Sequence, residues 1–317
     1  MASQPDLSVV IPCYNESANL VVLYDALCSV LPETVSSYEI LFIDDGSHDE
    51  TFSIIQSLHS SDPHVRGISL SRNFGHQVAL AAGLQYSTGK AVITMDGDLQ
   101  HPPALIPELY RRYKQGYFVV NTKRLDTADA GYLKTVTSRF FYRWMNRLSD
   151  VQLIRGGADF RLMSREAVEA YNHFQERDRF NRGLITWMGF RQDVVEYNAQ
   201  ARYGGATKYT VRKMLRFAID GVTSFSSKPL RIAAWSGILV SLAGVFYAIY
   251  ALFRYFAGNT IQGWASLLIT VLLLGGVQLL SLGIIGEYIA RIFNESKARP
   301  LFFIKDKTDC PDFNRNE

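Results

Sequence analysis

Pairs of acidic residues follow two short apolar segments, and these residue types suit the chemistry of metals and phosphates. Asp44 and Asp45 end the segment EILFIDD, and Asp96 and Asp98 flank Gly97 at the end of AVITMDGD. Carboxylate oxygens are ligands that Mg²⁺ and Mn²⁺ prefer, and a metal bridging a diphosphate neutralises its charge. The alternative is structural, because acids at strand ends also cap turns and helices.

The segments that precede these acids are typical of buried strands in an α/β sheet. Continuous apolar runs alternate with amphipathic segments, which indicates a mostly parallel, Rossmann-like sheet covered by helices on both faces. Ligands bind such sheets beyond the carboxyl ends of the strands, where the acids fall. The sequence predicts strands over 7–14, 39–47, 65–71, 90–98 and 117–124, and helices over 17–31, 49–60, 75–86 and 102–115.

Two common phosphate-binding motifs are missing from this region of the sequence. No G-x-G-x-x-G follows the first strand, which makes a dinucleotide cofactor a weak hypothesis. Gly83, Gly89 and Lys90 resemble a P-loop, but five residues separate the glycines and Ala91 stands where Ser or Thr would bind Mg²⁺. We therefore expect the acids, through a metal, to hold the anionic ligand.

The C-terminal third of the chain has a different character. The segments 232–253 and 255–286 contain no charged residue, and about 20 apolar residues cross a bilayer. The sequence predicts two membrane helices, with a pair of buried helices in a soluble core as the alternative. Basic residues flank both outer ends, so the positive-inside rule predicts a cytoplasmic N-terminal region. The start MASQPDLSVV lacks the features of a secretory signal, and none is expected.

Composition excludes several classes of protein. The chain has 317 residues, of which 48% are hydrophobic, and a formal net charge of +3. The apolar content argues against disorder, and the small charge gives no support for a nucleic-acid partner. Three cysteines without C-x-x-C spacing argue against a disulfide framework.

Further patterns concern the membrane and the domain organisation. Basic amphipathic helices are predicted over 133–148 and 214–225, both suited to a membrane surface. Pairs of small residues in the apolar helices favour helix packing and a homo-oligomer. The predicted divisions are a catalytic domain at 1–210, an interfacial helix at 211–228, a transmembrane hairpin at 229–290 and a cytoplasmic tail at 291–317.

Four segments together resemble the family 2 glycosyltransferases, which use nucleotide-diphospho-sugars on a GT-A fold. They are VVIPCYNE (9–16), IDDGSHDET (43–51), LSRNFGHQVAL (70–80) and MDGDLQHPP (95–103). The segments GGADFRLMSREAV (156–168) and RYGGATKY (202–209), followed by the two apolar helices, resemble the polyprenyl-phosphate branch, and the GtrB type most closely.

The resemblance implies roles for individual residues of the donor site. The positions that match the nucleotide pocket, including those for base and ribose, are Pro12, Tyr14, Glu16, Ile43, Asp44 and Asp45. The positions that match the diphosphate and metal site, for Mg²⁺ or Mn²⁺, are Asp96, Gly97, Asp98 and Gln100. Gly97 stands where the family often has Ala, a change that we expect to be harmless.

The resemblance also implies roles for one more basic residue of the donor site and for three residues near the reacting phosphates and the acceptor. Arg124 matches a basic residue of the donor site, Arg202 and Lys208 match a pair that faces the phosphates, and Asp159 matches an acid that faces the acceptor. Each residue also has a structural alternative. Arg124 could be a solvated strand end, Arg202 and Lys208 could be membrane-surface charges, and Asp159 could form a salt bridge with Arg161 or Arg155.

The implied reaction is inverting transfer of a hexose to a polyprenyl phosphate at the inner membrane. UDP-glucose and undecaprenyl phosphate are the expected substrates, and other UDP-sugars and GDP-mannose stay open. Asp159 would orient the acceptor or accept its last proton. An inactive membrane-anchored nucleotide-sugar-binding protein is the alternative from another class, while a processive synthase is disfavoured because Q-x-x-R-W is missing.

Overall fold

The computed structural model describes residues 4–125, 157–177, 179–198, 226–257 and 263–308. They divide into two compact units, one built on a sheet and including residues 299–308, the other a helical pair. In chain order the first unit contains β1 (Leu7–Cys13), α1 (Leu20–Thr34), β2 (Tyr38–Asp44), α2 (Thr51–Ser61), β3 (Val65–Leu70), α3 (His76–Tyr86), β4 (Ala91–Thr94), a 3₁₀ turn (Pro103–Leu105), α4 (Ile106–Lys114), β5 (Val119–Leu125), β6 (Gly157–Ser164), α5 (Arg165–Asn172), α6 (Asn181–Trp187), β7 (Gln192–Asn198) and β8 (Ile304–Lys307).

The strands form one eight-stranded sheet in the order β7-β5-β6-β4-β1-β2-β3-β8. Strands β4, β1, β2 and β3 are parallel neighbours, and β5 pairs in parallel with β7. This confirms the predicted α/β class, and each strand and helix predicted over residues 7–124 is present with bounds shifted by a few residues. The carboxyl ends of β1, β2 and β4 therefore meet at one edge of the sheet.

Burial on both faces explains the continuous apolar strands. Every residue of β1 is buried, as is nearly all of β2. The polar exception in β1 is Ser8, whose hydroxyl donates to the buried carboxylate of Glu39 at 2.5 Å. Helix α3 lies very close to β1, because a Cβ on Gly83 would stand 2.1 Å from the Val10 side chain. This close approach fixes α3 against the centre of the sheet.

Three strands, β6, β7 and β8, lie in segments for which the sequence analysis predicts no strand, and β7 pairs in parallel with β5. Strand β6 lies between β4 and β5 and is antiparallel to both. Strand β8, which follows the helical pair in the sequence, lies at the edge of the sheet and is antiparallel to β3. Part of the segment expected to be a tail therefore completes the sheet, with Thr308 accepting from the N–H of Gly67 at 2.9 Å.

The second unit consists of α7 (Lys228–Phe256) and α8 (Trp264–Ser296). Two stretches, Lys228–Arg254 and Ile269–Ser296, are long and apolar enough to cross a membrane. Most of their large apolar side chains are exposed, including Leu239, Phe246 and Leu279. Exposed apolar surface of this extent is unfavourable in water, and it fits an apolar surrounding.

Several predicted features lie outside the described residues. They are the amphipathic helices over 133–148 and 214–225, and the basic residues Arg202 and Lys208.

Candidate functional site

A cavity of about 490 Å³ opens at the carboxyl ends of the central strands. It is the location that a parallel sheet favours for a ligand. Eight predicted site residues line it: Pro12, Tyr14, Glu16, Asp45, Asp96, Gly97, Asp98 and Asp159. Six residues that had no predicted role also line it: Cys13, Asn73, Gly75, His76, Ala79 and Arg182.

The two acids after β4 are held in place by the loop that follows them. The backbone N–H of Asp96 donates to Nδ1 of His101 at 3.0 Å, so the imidazole proton must lie on Nε2. His101 is buried and stacks on Phe160 with 5.2 Å between ring centroids. Burial lowers the pKa of His101, which keeps the ring neutral at pH 7. A neutral, stacked His101 therefore fixes the backbone that carries Asp96.

The side chains of this loop fit a divalent cation. Oδ1 of Asp96 is buried and has no hydrogen-bond partner among the described residues, which leaves it available to a metal. Asp98 accepts hydrogen bonds from the backbone N–H of Gln100, at 3.2 Å, and from its side-chain amide. The side-chain oxygen Oε1 of Gln100 accepts a hydrogen bond from Nη1 of Arg124 at 3.2 Å. Two carboxylates and an amide oxygen suit Mg²⁺ or Mn²⁺, with substrate oxygens and water as further ligands.

The described part of the chain contains no group of three or more His, Cys, Asp or Glu side chains arranged around one metal position. Two protein carboxylates are nonetheless enough for Mg²⁺, which usually keeps several waters and substrate phosphate oxygens as ligands. The set of metal ligands is therefore incomplete until a substrate supplies phosphate oxygens.

Asp45 connects the end of β2 to the loop between β3 and α3. Its two carboxylate oxygens accept the backbone N–H groups of Phe74 at 2.7 Å and Gly75 at 2.9 Å. Gly75 has φ +99°, a conformation that favours glycine. Burial raises the pKa of Asp45, against the effect of the two backbone hydrogen bonds. Asp45 therefore shapes the cavity wall as well as facing the cavity.

Two predicted nucleotide-binding residues are buried and are not among the described residues that line the cavity. Ile43 is fully buried in β2. Asp44 accepts from the backbone N–H of Ser47 at 3.0 Å and from the hydroxyl of Ser69 at 2.7 Å. These bonds tie the turn after β2 to β3, which is a structural role for Asp44.

The residues after β1 form another wall of the cavity. Tyr14 is 42% exposed, and its ring meets that of His48 edge-on with 6.5 Å between centroids. The backbone N–H of Glu16 donates to Thr51 at 3.0 Å, and its carboxylate accepts from Asn19 at 2.6 Å. Burial raises the pKa of Glu16. An exposed aromatic ring beside polar groups is suited to a nucleoside.

Asp159, on the antiparallel strand β6, is the most strongly bound acid of the cavity. Arg182 donates to it through Nε and Nη2, both at 2.9 Å, and Arg161 donates at 3.1 Å. Burial alone would raise the pKa of Asp159, but the charge of Arg182 and hydrogen bonds from His76 and Arg182 hold it well below its usual range. The carboxylate is therefore ionised and fully engaged at neutral pH.

His76 lies between this cluster and the acids after β4. Its Nε2 is 3.4 Å from Oδ1 of Asp96 and 3.6 Å from Oδ2 of Asp159. The acid–imidazole–acid arrangement brings together three sequence segments that are far apart along the chain.

Some of the cavity residues that the sequence analysis missed lie within recognised motifs, and others do not. Asn73, Gly75 and His76 fall within the segment LSRNFGHQVAL, which matched a family motif without assigned roles. Arg182, at the start of α6, belongs to no recognised motif, and its contact with Asp159 on β6 is visible only in the tertiary structure.

Comparisons with known proteins cover both units. A family model described as "Glycosyl transferase family 2" matches residues 8–171, and one described as "GtrB C-terminal hairpin" matches residues 228–292. The chain is 41% identical over 306 residues to the glycosyltransferase YkcC of Bacillus subtilis (strain 168), which covers 96% of this chain and 95% of that protein.

Two relatives have more specific names. The bactoprenol glucosyl transferase of Shigella phage SfX is 40% identical over 302 residues, covering 95% of this chain and 99% of that protein. The prophage bactoprenol glucosyl transferase homolog of Escherichia coli (strain K12) is 41% identical over 302 residues, covering 94% and 98%. These similarities extend over the cavity and over the helical pair.

Proposed function

Because the chain belongs to glycosyl transferase family 2 and carries a GtrB-type C-terminal hairpin, we propose that it transfers a hexose from a nucleotide-diphospho-sugar to a polyprenyl phosphate. It is a glycosyltransferase with a GT-A fold. One observation carries the proposal: about 40% identity, along nearly the whole chain, to proteins named for glucosylation of bactoprenol. We take UDP-glucose as donor and undecaprenyl phosphate as acceptor.

The cavity supplies groups for the donor. In this proposal Tyr14 and Asp45, which line the cavity, face the nucleoside. Asp96 and Asp98, which also line it, hold Mg²⁺ or Mn²⁺ together with Gln100, which bonds to Asp98. When bound, the metal would act as a Lewis acid that stabilises the departing nucleoside diphosphate. The buried Oδ1 of Asp96 accepts no hydrogen bond from the described residues and lies 3.4 Å from Nε2 of His76, which supports this assignment.

The acceptor chemistry makes a strong general base unnecessary. The second pKa of a phosphomonoester is about 6, so the acceptor is mostly dianionic at pH 7. One of its oxygens attacks the anomeric carbon opposite the diphosphate, a C–O bond forms, and the bond to the diphosphate breaks. The nucleoside diphosphate leaves with the electron pair, and the anomeric centre is inverted. The enzyme's tasks are positioning and charge balance, in which we include Arg124, Arg202 and Lys208.

The membrane assignment follows from the second unit. We propose that α7 and α8 span the inner membrane and that the sheet unit lies in the cytoplasm, since basic residues flank both outer ends of the pair. A lipid phosphate at the headgroup level would then be available to the enzyme. A homo-oligomer, built through small residues of these helices, is part of the same proposal.

The test is transfer by the full chain purified in detergent. Undecaprenyl phosphate is offered with each labelled nucleotide sugar in turn, with Mg²⁺, Mn²⁺ or EDTA. We expect organic-extractable label from UDP-glucose, which is lost with EDTA and in Asp98→Ala, while the exposed Asp25→Ala control keeps it. If product forms from another nucleotide sugar, that sugar replaces glucose in the proposal. If no donor gives a lipid product although the protein binds nucleotide, the proposal that the acceptor is a polyprenyl phosphate is refuted.

A further inference from the structure

Two arginines contact the carboxylate of Asp159. Arg161 lies 3.1 Å from it, and Arg182 donates to both of its oxygens at 2.9 Å. Buried charges are stable when they are paired and hydrogen-bonded, which this arrangement achieves. The two arginines differ in how far they reach the cavity.

The guanidinium of Arg182 faces the cavity, whereas that of Arg161 is buried. The side chain of Arg161 is 5% exposed and also donates to the backbone oxygen of Ala158, whereas the side chain of Arg182 is 34% exposed. Asp159 and Arg161 form a buried neutral pair, and Arg182 presents its guanidinium at the cavity wall.

The rest of the described lining makes this charge significant. Four other lining residues are acids, Glu16, Asp45, Asp96 and Asp98, and Arg182 is the only arginine or lysine among the described lining residues. A phosphate entering an acidic cavity is repelled unless cations stand close to its oxygens. Next to a metal position, an arginine is the side chain best suited to a phosphate, because its planar donors match the phosphate oxygens.

We propose that Arg182 binds a phosphate oxygen of a substrate and that Asp159 is a positioning residue that holds the guanidinium. This rests on the proposed function, since it assigns a contact for one of the two phosphate-bearing substrates. The side-on bond to Asp159 fixes the plane of the guanidinium and orders a flexible side chain before the substrate arrives.

The contacts of His76 show where the proposed phosphate-binding position at Arg182, the Arg182 subsite, lies relative to the metal acids. A single imidazole separates Asp159 from Asp96, with its Nε2 within 3.6 Å of both carboxylates. The Arg182 subsite is therefore adjacent to the acids proposed to hold the metal. Both the donor diphosphate and the acceptor phosphate offer the oxyanion chemistry that Arg182 recognises.

The test measures binding, so it does not depend on transfer. Binding of UDP and of farnesyl phosphate, a short prenyl phosphate, is measured by calorimetry with Mg²⁺ on the full chain in detergent. The variants are Arg182→Gln and Arg182→Lys, with the exposed Arg111→Gln as matched control. Arg182→Gln should fold, because it leaves the neutral Asp159–Arg161 pair, and its melting temperature checks this.

We expect Arg182→Gln to raise the dissociation constant of at least one of the two ligands by about tenfold or more. This is the usual effect of losing a charge-assisted hydrogen bond. A loss confined to UDP assigns the contact to the donor, and a loss confined to farnesyl phosphate assigns it to the acceptor. Arg182→Lys should lose less affinity, because it keeps the positive charge. If Arg182→Gln does not fold, the affinities of Arg182→Lys decide between the outcomes.

Dissociation constants for both ligands within about twofold of wild type would overturn the proposal. A purely structural role for Arg182 would lower the melting temperature and affect both ligands only through the folded fraction. A wild-type protein that binds UDP but forms no lipid product would refute the proposed acceptor, while the UDP measurement still decides the role of Arg182.

Discussion

Asp159→Asn removes the one negative charge that two arginines share, and we expect it to destabilise the sheet unit strongly. Arg161 is almost fully buried, and the amide would leave its charge without a counterion. Arg182 would lose both of its 2.9 Å bonds to a carboxylate. The change is nearly isosteric, so its effect comes from charge and hydrogen bonding and not from packing.

The size of the effect follows from the burial of the pair. Removing one partner of a buried ion pair costs about 3–5 kcal/mol. At about 2–4 °C per kcal/mol for a domain of this size, the melting temperature should fall by roughly 6–20 °C. The matched control is Asp6→Asn, which breaks the solvent-exposed pair with Lys90 and should change the melting temperature far less.

The assay is thermal unfolding of the full chain in detergent at several pH values, with transfer measured in parallel. The pKa of Asp159 is depressed in the folded protein, so its stabilising effect is complete above the ordinary value of 3.8 and is lost as pH falls through the folded-state pKa. The difference between wild type and Asp159→Asn should shrink below about pH 4. It should also be larger at pH 6 than at pH 8, because Asp159 helps to raise the pKa of His76 and so stabilises its protonated form.

The result that would contradict this reasoning is a melting temperature of Asp159→Asn within a degree or two of wild type. It would refute both the balancing of the buried arginine by Asp159 and the positioning role of Asp159. Loss of turnover in such a variant would favour a direct role of Asp159 in the reaction, such as that of a general base.

Three further predictions concern the cavity. Gly97→Ala should keep near-wild-type transfer, because its Cβ would lie 3.4 Å from Sγ of Cys13, an ordinary contact; a loss above about tenfold would contradict this. Asp45→Ala should raise the KM for the donor by about tenfold, because two loop N–H groups lose their acceptor, and an unchanged KM would show that the loop holds without it. His101→Phe should keep the stacking but weaken Mn²⁺ binding about tenfold, measured by the Mn²⁺ dependence of transfer, because the backbone of Asp96 loses its acceptor.

Much of the sheet unit was predictable because its signals are local. A run such as LSVVIPC identifies a buried strand without reference to any other part of the chain. Acids directly after such a strand must lie at the carboxyl edge of the sheet, which is why Asp96 and Asp98 were correctly placed at the cavity. The resemblance also assigned nucleotide binding to Ile43 and Asp44. Neither is among the described residues that line the cavity, because Ile43 is buried in β2 and the Asp44 carboxylate is bound by Ser47 and Ser69.

The sequence by itself determined the alternation of strands and helices, the two long apolar helices and the position of the acids beyond the strands. The tertiary structure decided the antiparallel place of β6, the return of β8 to the sheet and the binding of Asp159 by Arg182, which is 23 residues away along the chain. The reason is physical: hydrophobic periodicity is a property of neighbouring residues, whereas strand order and buried ion pairs depend on which distant segments pack together.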